Sequence, residues 1–174
     1  MANNKNLDKA KKAKNDEFYT RLEDIEAEIS QHKDYVDAFQ GKTIYCNCDD
    51  PELSNFSKFF ILHFKQPGLK KLIPTHYPGG SILFLDHAPA YKMEYYGEQD
   101  SKGNPITHKT PLVGNGDFRS SECVELLKQA DIVASNPPFS LFRSYIAQLM
   151  QYEKKFVIVG HQNAIGYKEI FPKH

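Results

Sequence analysis

The stretch Ala130-Asp-Ile-Val-Ala-Ser-Asn-Pro-Pro-Phe139 decides the fold of this chain. Residues 130–134 are mostly apolar and predict a buried strand, and the two prolines that follow cannot continue a strand ladder or enter a helix interior. The chain therefore has to turn where this strand ends, and open α/β sheets bind their ligands at the carboxyl ends of strands. Asn136 supplies a side-chain carbonyl and Phe139 a flat apolar ring, so the turn suits a planar group that bears an amine, such as a nucleobase.

On either side of this stretch, segments with helical and extended patterns alternate along the chain. Strands are predicted at residues 43–47, 69–75, 131–134 and 156–160, and helices at 16–39, 54–65, 122–129 and 141–151. This alternation predicts an α/β fold with a mostly parallel sheet and helices on both faces. Residues 81–85 and 91–96 are expected to form two short strands of a loosely connected hairpin, and residues 97–110 a polar loop.

The composition indicates one domain with a hydrophobic core, because 40% of the 174 residues are hydrophobic. Lys plus Arg and Asp plus Glu both total 22, and this balance gives no global argument for a polyanionic partner. The lysine-rich residues 1–14 are expected to form a flexible basic arm, either a solvated tail or an arm that contacts phosphates. Residues 15–174 are expected to form the folded domain.

The cysteines and the apolar runs predict the cellular location of the chain and whether it binds a membrane or a metal. An odd number of cysteines in a chain without a signal peptide argues against a disulfide framework and favours the reducing cytosol, so a cytoplasmic location is expected. No apolar run approaches the roughly 20 residues that a membrane span needs, so no membrane partner is expected. Cys46 and Cys48 are too close for a usual zinc pair and no second Cys or His pair accompanies them, so no metal site is expected.

The turn at residues 136–139 is suited to activate the exocyclic amino group of a base. The lone pair of that nitrogen is delocalised into the ring and is a poor nucleophile. The side-chain carbonyl of Asn136 and the backbone carbonyl of Pro137 would accept the two amino hydrogens, which draws the nitrogen towards a tetrahedral geometry and frees its lone pair. Phe139 would stack on the base, which contributes roughly 1–3 kcal/mol. The alternative is an ordinary loop that contains a proline pair.

Three other segments are candidates for the seat of a nucleotide. In the turn at residues 114–118, Asp117 would accept a hydrogen bond from an amino group such as a cofactor's adenine, and Phe118 would flank that ring. The alternative is a capped turn in which Asp117 accepts nearby backbone donors. The exit loop of the first strand, residues 45–51, touches the ligand in nucleotide-binding sheets, although it carries no Gly-x-Gly-x-x-Gly fingerprint. Residues 15–20 would hold a small anionic group at a helix start, or form a plain N-cap.

Together these segments resemble the amino-methylating DNA methyltransferases that use S-adenosylmethionine, and most closely the EcoRI-type adenine-specific family. The residues that carry the resemblance are Asn15-Asp-Glu-Phe-Tyr-Thr20, Tyr45-Cys-Asn-Cys-Asp-Asp-Pro51 with Ser54-Asn-Phe56, Gly116-Asp-Phe-Arg-Ser120, Ser135-Asn-Pro-Pro-Phe139, and Lys155-Phe-Val-Ile-Val-Gly160 through Asn163. The resemblance implies a Rossmann-like methyltransferase domain with S-adenosyl-L-methionine as its cofactor. It also implies that the substrate is an adenine flipped out of double-stranded DNA, since the amino group is paired inside a duplex.

The resemblance further implies roles for individual residues. The segment that closes over the methionine part of the cofactor would comprise Phe18, Tyr19 and Thr20. The loop beneath the cofactor would comprise Cys46, Asn47, Cys48, Asp49 and Asp50. Asp117 and Phe118 would meet the adenine of the cofactor. The flipped adenine would be held by Asn136, Pro137, Pro138 and Phe139, with Asn136 also beside the cofactor.

The sequence leaves three functions open. The resemblance favours a DNA adenine methyltransferase, the modification part of a restriction-modification system. A protein glutamine methyltransferase is the second reading, although Tyr is then the commoner residue at the position of Phe139. Family members continue with further strands and a target-recognition region, so the sequence predicts a partial catalytic domain without C-terminal strands, completed by a recognition region or partner chain. The third reading is therefore a non-catalytic fragment that binds cofactor or DNA.

Overall fold

A computed structural model describes residues 21–31, 34–48, 51–52, 54–78, 89–137, 139–159 and 165–168. Several predictions from the sequence lie outside these residues. They are the basic arm at residues 1–14, the segment at 15–20 with Phe18, Tyr19 and Thr20, the positions Asp49, Asp50 and Pro138, and the short strand at residues 81–85. Within the described residues, every helix is too short or too polar to span a bilayer.

A mixed sheet with seven strands forms the centre of the described fold. The strands are β1 Thr43–Cys46, β2 Lys71–His76, β3 Tyr91–Gln99, β4 Pro105–Pro111, β5 Ile132–Ser135, β6 Lys155–Val159 and β7 Ile165–Lys168. Their order across the sheet is β4-β3-β2-β1-β5-β6-β7. The four inner strands β2, β1, β5 and β6 are parallel, with Thr43 beside Lys71 and Ile44 beside Ile132. The outer strands β3, β4 and β7 pair antiparallel.

Helices cover both faces of this sheet. They are α1 Leu22–Ser30, α2 Tyr35–Phe39, α3 Asn55–Leu62, α4 Ser121–Gln129 and α5 Phe142–Gln151, with a 3₁₀ turn at Phe139–Leu141. Side chains of α1, α2 and α3 pack with Ile44 and Leu72 in one buried cluster. Side chains of α4 and α5 pack with Tyr45 and Val133 in a second cluster. Since Ile44 and Tyr45 are successive strand residues, they point to opposite faces, and the predicted α/β fold class is confirmed.

Two serines set the starts of helices at the crossovers. The Ser54 hydroxyl accepts a hydrogen bond from the Ser57 backbone N–H at 3.3 Å. The Ser120 hydroxyl accepts one from the Cys123 N–H at 3.4 Å. Each bond satisfies an N–H group that has no acceptor within its own helix. Both helix starts therefore agree with the sequence pattern to within a residue.

The prediction of one continuous helix over residues 16–39 is wrong for the described part, because α1 ends at Ser30 and α2 begins at Tyr35. The break has a geometric cause. Ile29 and Tyr35 are both buried against the sheet, yet they are six residues apart, which is about one and two-thirds turns of an unbroken helix. An unbroken helix would place them on different faces, whereas the break buries both.

The prediction of a polar loop at residues 97–110 is also wrong. β3 and β4 form an antiparallel hairpin instead. The turn is held by the Asp100 carboxylate, which accepts the backbone N–H groups of Lys102 and Asn104, each at 2.8 Å. Almost every residue of β4 is exposed, so its sequence lacks the alternation that marks a half-buried strand. The strand β7 was not predicted either; it adds an antiparallel edge beside β6.

Tyr35 offers a test of the first buried cluster. Its ring packs on Phe39 and Phe59, with centroids 5.3 and 6.3 Å apart. Its hydroxyl is buried, and no described residue gives it a hydrogen bond. Burial raises the pKa of this hydroxyl to about 12. A buried hydroxyl without a partner destabilises the fold at neutral pH, by roughly 1–3 kcal/mol in mutational data.

We expect Tyr35→Phe to increase the free energy of unfolding by about 1 kcal/mol at pH 7. The gain should grow above pH 10, because the unfolded tyrosine ionises near pH 10 whereas the folded one resists ionisation until about pH 12. The free energy of unfolding of the wild type is therefore unaffected by this ionisation below pH 10 and falls as the pH rises towards 12. Urea unfolding at pH 7 and pH 11 measures both effects. Tyr45→Phe is the control and should destabilise, because the Tyr45 oxygen accepts a bond from Thr75 at 3.4 Å.

Candidate active site

The carboxyl ends of the inner strands meet where the strand order reverses. From β1 the chain proceeds to β2 on one side, and it later returns to β5 on the other side of β1. In open α/β sheets, ligands bind in the crevice at such a reversal. The residues that leave the sheet there are Asn47 and Cys48 after β1, Tyr77 after β2, and Asn136 and Pro137 after β5.

Three buried residues tie the ends of β1 and β5 together, and we call them the Asn47 clamp: Asn47, Ser135 and Tyr145. The Ser135 hydroxyl donates to the Asn47 backbone carbonyl at 2.5 Å. The Tyr145 hydroxyl, which comes from α5, donates to the Asn47 side-chain carbonyl. Asn47 is only 2% exposed and Ser135 1%. The clamp therefore fixes the two positions from which Cys48 and Asn136 leave the sheet.

The turn that carries Asp117 packs against the same carboxyl end of the inner strands. Gly116 has a left-handed backbone, with φ of +77°, and it is buried beside the His76 carbonyl at the end of β2. A later turn residue, Phe118, is 5% exposed and packs edge-on against Tyr145, with ring centroids 5.1 Å apart. Gln148 of α5 donates its side-chain amide to the Phe118 carbonyl at 3.0 Å. Helix α5 thus supports this turn as well as the Asn47 clamp.

The Asp117 carboxylate is ionised and paired. It accepts the backbone N–H of Arg119 at 2.8 Å and the guanidinium at 2.9 and 2.7 Å. The hydrogen bond from the Arg119 side chain lowers the pKa of Asp117. Arg119 lies on the surface, and its guanidinium carbon is 5.2 Å from the centre of the Phe118 ring. The capped-turn alternative therefore describes this arrangement, and a bound amine would share the carboxylate with Arg119 or displace it.

A small pocket opens between these segments. Its lining consists of Cys48, Tyr77, Gly116, Asp117, Phe118 and Leu141. The cavity volume is about 10 Å³, which is room for about one water molecule. Tyr77 and Leu141 are among the lining residues that are only half-buried. Cys48 adopts φ of +65°, a backbone region that residues with a Cβ seldom occupy.

The structure separates the predicted residues of the β1 loop. The Cys46 side chain points into the first buried cluster, so only its backbone lies at the edge. Asn47 is buried in the clamp, and Cys48 alone of the three lines the pocket. In the β5 turn, Asn136 is half-buried and Pro137 is buried. Phe139 begins the 3₁₀ turn that leads into α5.

Sequence reasoning missed four residues of this site. Tyr77 and Leu141 line the pocket, and Tyr145 and Gln148 support it from α5. Tyr77 had a usable signal, because it lies just beyond a predicted strand end. Tyr145 lies within the helix predicted at residues 141–151, and nothing in that pattern reveals the acceptor of its hydroxyl. The described residues contain no cluster of three or more His, Cys, Asp or Glu side chains arranged for a metal ion.

The parallel strands, the helical crossovers and the Asn-Pro-Pro turn at the reversal define an α/β domain of the Rossmann-like methyltransferase class. Comparison with known families gives a match over residues 6–173 to the family described as adenine-specific methyltransferase EcoRI. The chain belongs to this family, which confirms the resemblance inferred from the motifs. A methyltransferase family implies a methyl donor. A comparison with solved structures gave no match.

Three curated relatives are similar to this chain. The type II methyltransferase M.EcoRI of Escherichia coli is 47% identical over 174 residues, which cover 98% of this chain and 52% of the relative. M.MpnI of Mycoplasma pneumoniae is 43% identical, covering 95% of this chain and 46% of the relative. M.MgeORF184P of Mycoplasma genitalium is 46% identical, covering 95% and 47%. The chain therefore spans about half the length of these relatives.

Proposed function

We propose that this chain carries the methyl-transferring site of a DNA adenine methyltransferase of the restriction-modification type. The observation that carries the proposal is the Asn47 clamp, which holds the Asn136-Pro137 turn beside the β1 exit at the strand-order reversal. The family is described as adenine-specific, and its curated relatives are named type II methyltransferases. Both favour a base over the side-chain amide of glutamine as the acceptor.

The proposed chemistry needs hydrogen-bond acceptors more than a strong base. Asn136 would accept one amino hydrogen of the adenine through its side-chain carbonyl, and Pro137 would accept the other through its backbone carbonyl. Localising the nitrogen lone pair makes the amino group a nucleophile, and fixed acceptors do this without the reorganisation that water would require. Phe139 would stack on the adenine after it leaves the duplex, since the amino group is paired inside the helix.

The chemistry of the residues that line the pocket supports S-adenosyl-L-methionine as the proposed donor. Asp117 is an ionised acceptor for an amino group, and Phe118, Tyr77 and Leu141 provide apolar walls for a ring. Cys48 would contact the donor from the loop after β1, together with Asp49 and Asp50 of the same loop. Phe18, Tyr19 and Thr20 would close over the methionine part of the donor. When bound, this group supplies the activated methyl that is transferred. The residues of the chain would orient the donor and shield both the donor and the flipped adenine from water.

Donor binding is tested by thermal unfolding of the chain with S-adenosylmethionine. A ligand at about 100 times its dissociation constant stabilises by about 2.7 kcal/mol, which for a domain of this size raises the midpoint by roughly 5–11 °C. ATP at the same concentration is the control, because it carries adenine without the methionine part. No change of the midpoint at any donor concentration would remove the proposal for this chain.

The acceptor is tested with donor labelled on the methyl group, offered with duplex DNA in one reaction and with protein acceptors in another. The proposal expects the label in DNA, as adenine methylated on its exocyclic nitrogen. Label in a glutamine side chain would establish the protein-methylating alternative. Label in neither acceptor, with the donor bound, would mark a non-catalytic fragment. Label at adenines regardless of sequence would assign target selection to a recognition region or partner chain.

A further inference from the structure

Three of the proposed ligand-contacting residues directly adjoin a residue that is held from inside the fold. Cys48 follows Asn47, and Asn136 follows Ser135; Asn47 and Ser135 both belong to the Asn47 clamp. Asp117 precedes Phe118, whose ring and carbonyl contact α5. The two α5 residues that make these contacts, Tyr145 and Gln148, are three positions apart and therefore lie on one side of the helix.

We propose that Tyr145 is a positioning residue. It sets the placement of Cys48, which would contact the methyl donor, relative to Asn136, which would contact the base. This inference rests on the proposed function for what these two residues bind, but the placement itself does not depend on it. The phenol links α5 to the end of β1, and α5 begins directly after the Asn136 turn. One side chain thus connects the exit of β1 with the element that anchors the exit of β5.

The chemistry of Tyr145 distinguishes this role from ordinary core packing. The ring is fully buried among apolar side chains, where a phenylalanine would fill nearly the same volume. A buried hydroxyl loses its contact with water, which is unfavourable unless a hydrogen bond within the protein replaces it. Its acceptor is the side chain of Asn47, a residue 98 positions away in the chain. Burial raises the pKa of Tyr145 well above its ordinary value, so the hydroxyl remains a donor at neutral pH.

Asn47 accepts a hydrogen bond from each side of this connection. Its side-chain carbonyl accepts from Tyr145 and its backbone carbonyl from Ser135. Loss of the Tyr145 hydroxyl would leave a buried amide oxygen without this donor, which is unfavourable because the oxygen cannot bond to water instead. The least costly relief is a shift of residues 47–48 towards solvent, because Cys48 already has a left-handed backbone and partial exposure. The β1 exit should therefore loosen while the sheet below it stays intact.

The test compares Tyr145→Phe with Tyr45→Phe. Both substitutions remove the hydroxyl of a buried tyrosine in the same cluster, but the Tyr45 oxygen bonds to Thr75 within the sheet. Thiol labelling under native conditions reports on the β1 exit, because Cys48 is partly exposed while Cys46 and Cys123 are buried. We expect the labelling rate of Cys48 to rise about ten-fold in Tyr145→Phe, as expected for about 1.4 kcal/mol, and to stay near the wild-type rate in Tyr45→Phe.

Donor affinity, measured by calorimetry with S-adenosylmethionine, is the second readout. We expect about ten-fold weaker binding in Tyr145→Phe and little change in Tyr45→Phe. An unchanged Cys48 labelling rate in Tyr145→Phe overturns the positioning role, whatever the donor does. If the rate rises but the wild-type chain binds no donor, the proposed function fails and the positioning role stands. Ser135→Ala removes the other bond to Asn47 and should also raise Cys48 labelling, which keeps the test valid if Tyr145→Phe does not fold.

Discussion

Replacing Asn136 by alanine is expected to reduce methyl transfer to adenine by on the order of 10²–10³-fold, the usual effect of removing one preorganised polar group from a transition state. Alanine removes the side-chain carbonyl that would accept an amino hydrogen, so the nitrogen lone pair stays delocalised in the ring. Donor affinity should change only a few-fold, because the proposed donor pocket is lined by residues such as Asp117 and Cys48 and not by Asn136. Single-turnover transfer of labelled methyl groups to duplex DNA, together with donor calorimetry, measures the two effects separately.

Two further variants make this prediction specific. Asn136→Asp retains an oxygen acceptor at the same position and should preserve part of the activity that alanine loses. Asn104→Ala makes the same change as Asn136→Ala at an exposed residue of the β3–β4 turn and should leave transfer unchanged. Equal transfer by the wild type and Asn136→Ala would show that the amino group is activated elsewhere. A parallel loss of donor binding in Asn136→Ala would assign the residue to the donor pocket instead.

The inner part of the fold was predictable because its signals are local and repeated. Residues 43–46, 132–135 and 156–158 are buried, and strands that are covered on both faces read as nearly continuous apolar segments. The helices between them carry apolar stripes, and Ser54 and Ser120 mark two helix starts. These features depend on the period of the side chains and on capping, both of which the sequence displays directly.

The outer part was not predictable from the same signals. β4 is exposed along nearly its whole length and is bounded by Pro105 and Pro111, so composition alone indicates a loop. Its strand character comes from pairing with β3, which is a tertiary property. The break between α1 and α2 has a similar origin, because it follows from the need to bury both Ile29 and Tyr35 against the sheet.

The candidate site divides in the same way. The motifs place Cys48, Asp117 and Asn136 next to the ends of strands or helices, and the fold brings those ends together at the carboxyl end of the sheet. The support for that edge could not be inferred, because the hydrogen bond from Tyr145 to Asn47 joins residues 98 positions apart. The pairing of Asp117 with Arg119 was also hidden: the sequence shows the two charges but not that the guanidinium folds back onto the carboxylate.

Substituting Gly116 by alanine should destabilise the chain by about 2–4 kcal/mol. Gly116 has φ of +77°, and a Cβ there would lie 2.6 Å from the His76 carbonyl oxygen and 3.0 Å from the Cβ of Ala90. The first neighbour is backbone at the end of β2, so it cannot rotate away. Gly103 has φ of +85°, and a Cβ added there would meet nothing within 4 Å, so Gly103→Ala should cost only about 1–2 kcal/mol for the left-handed backbone.

The difference between these two alanine variants isolates the close approach of the Gly116 turn to β2, since both glycines share the left-handed conformation. Because the clash can be relieved only by moving the turn, Asp117 and Phe118 should leave the pocket, and donor affinity should fall with stability in Gly116→Ala. Gly103→Ala should bind the donor like the wild type, since its turn joins β3 to β4. Urea unfolding and donor calorimetry on both variants decide the matter: equal destabilisation would mean that the turn does not depend on its contact with His76.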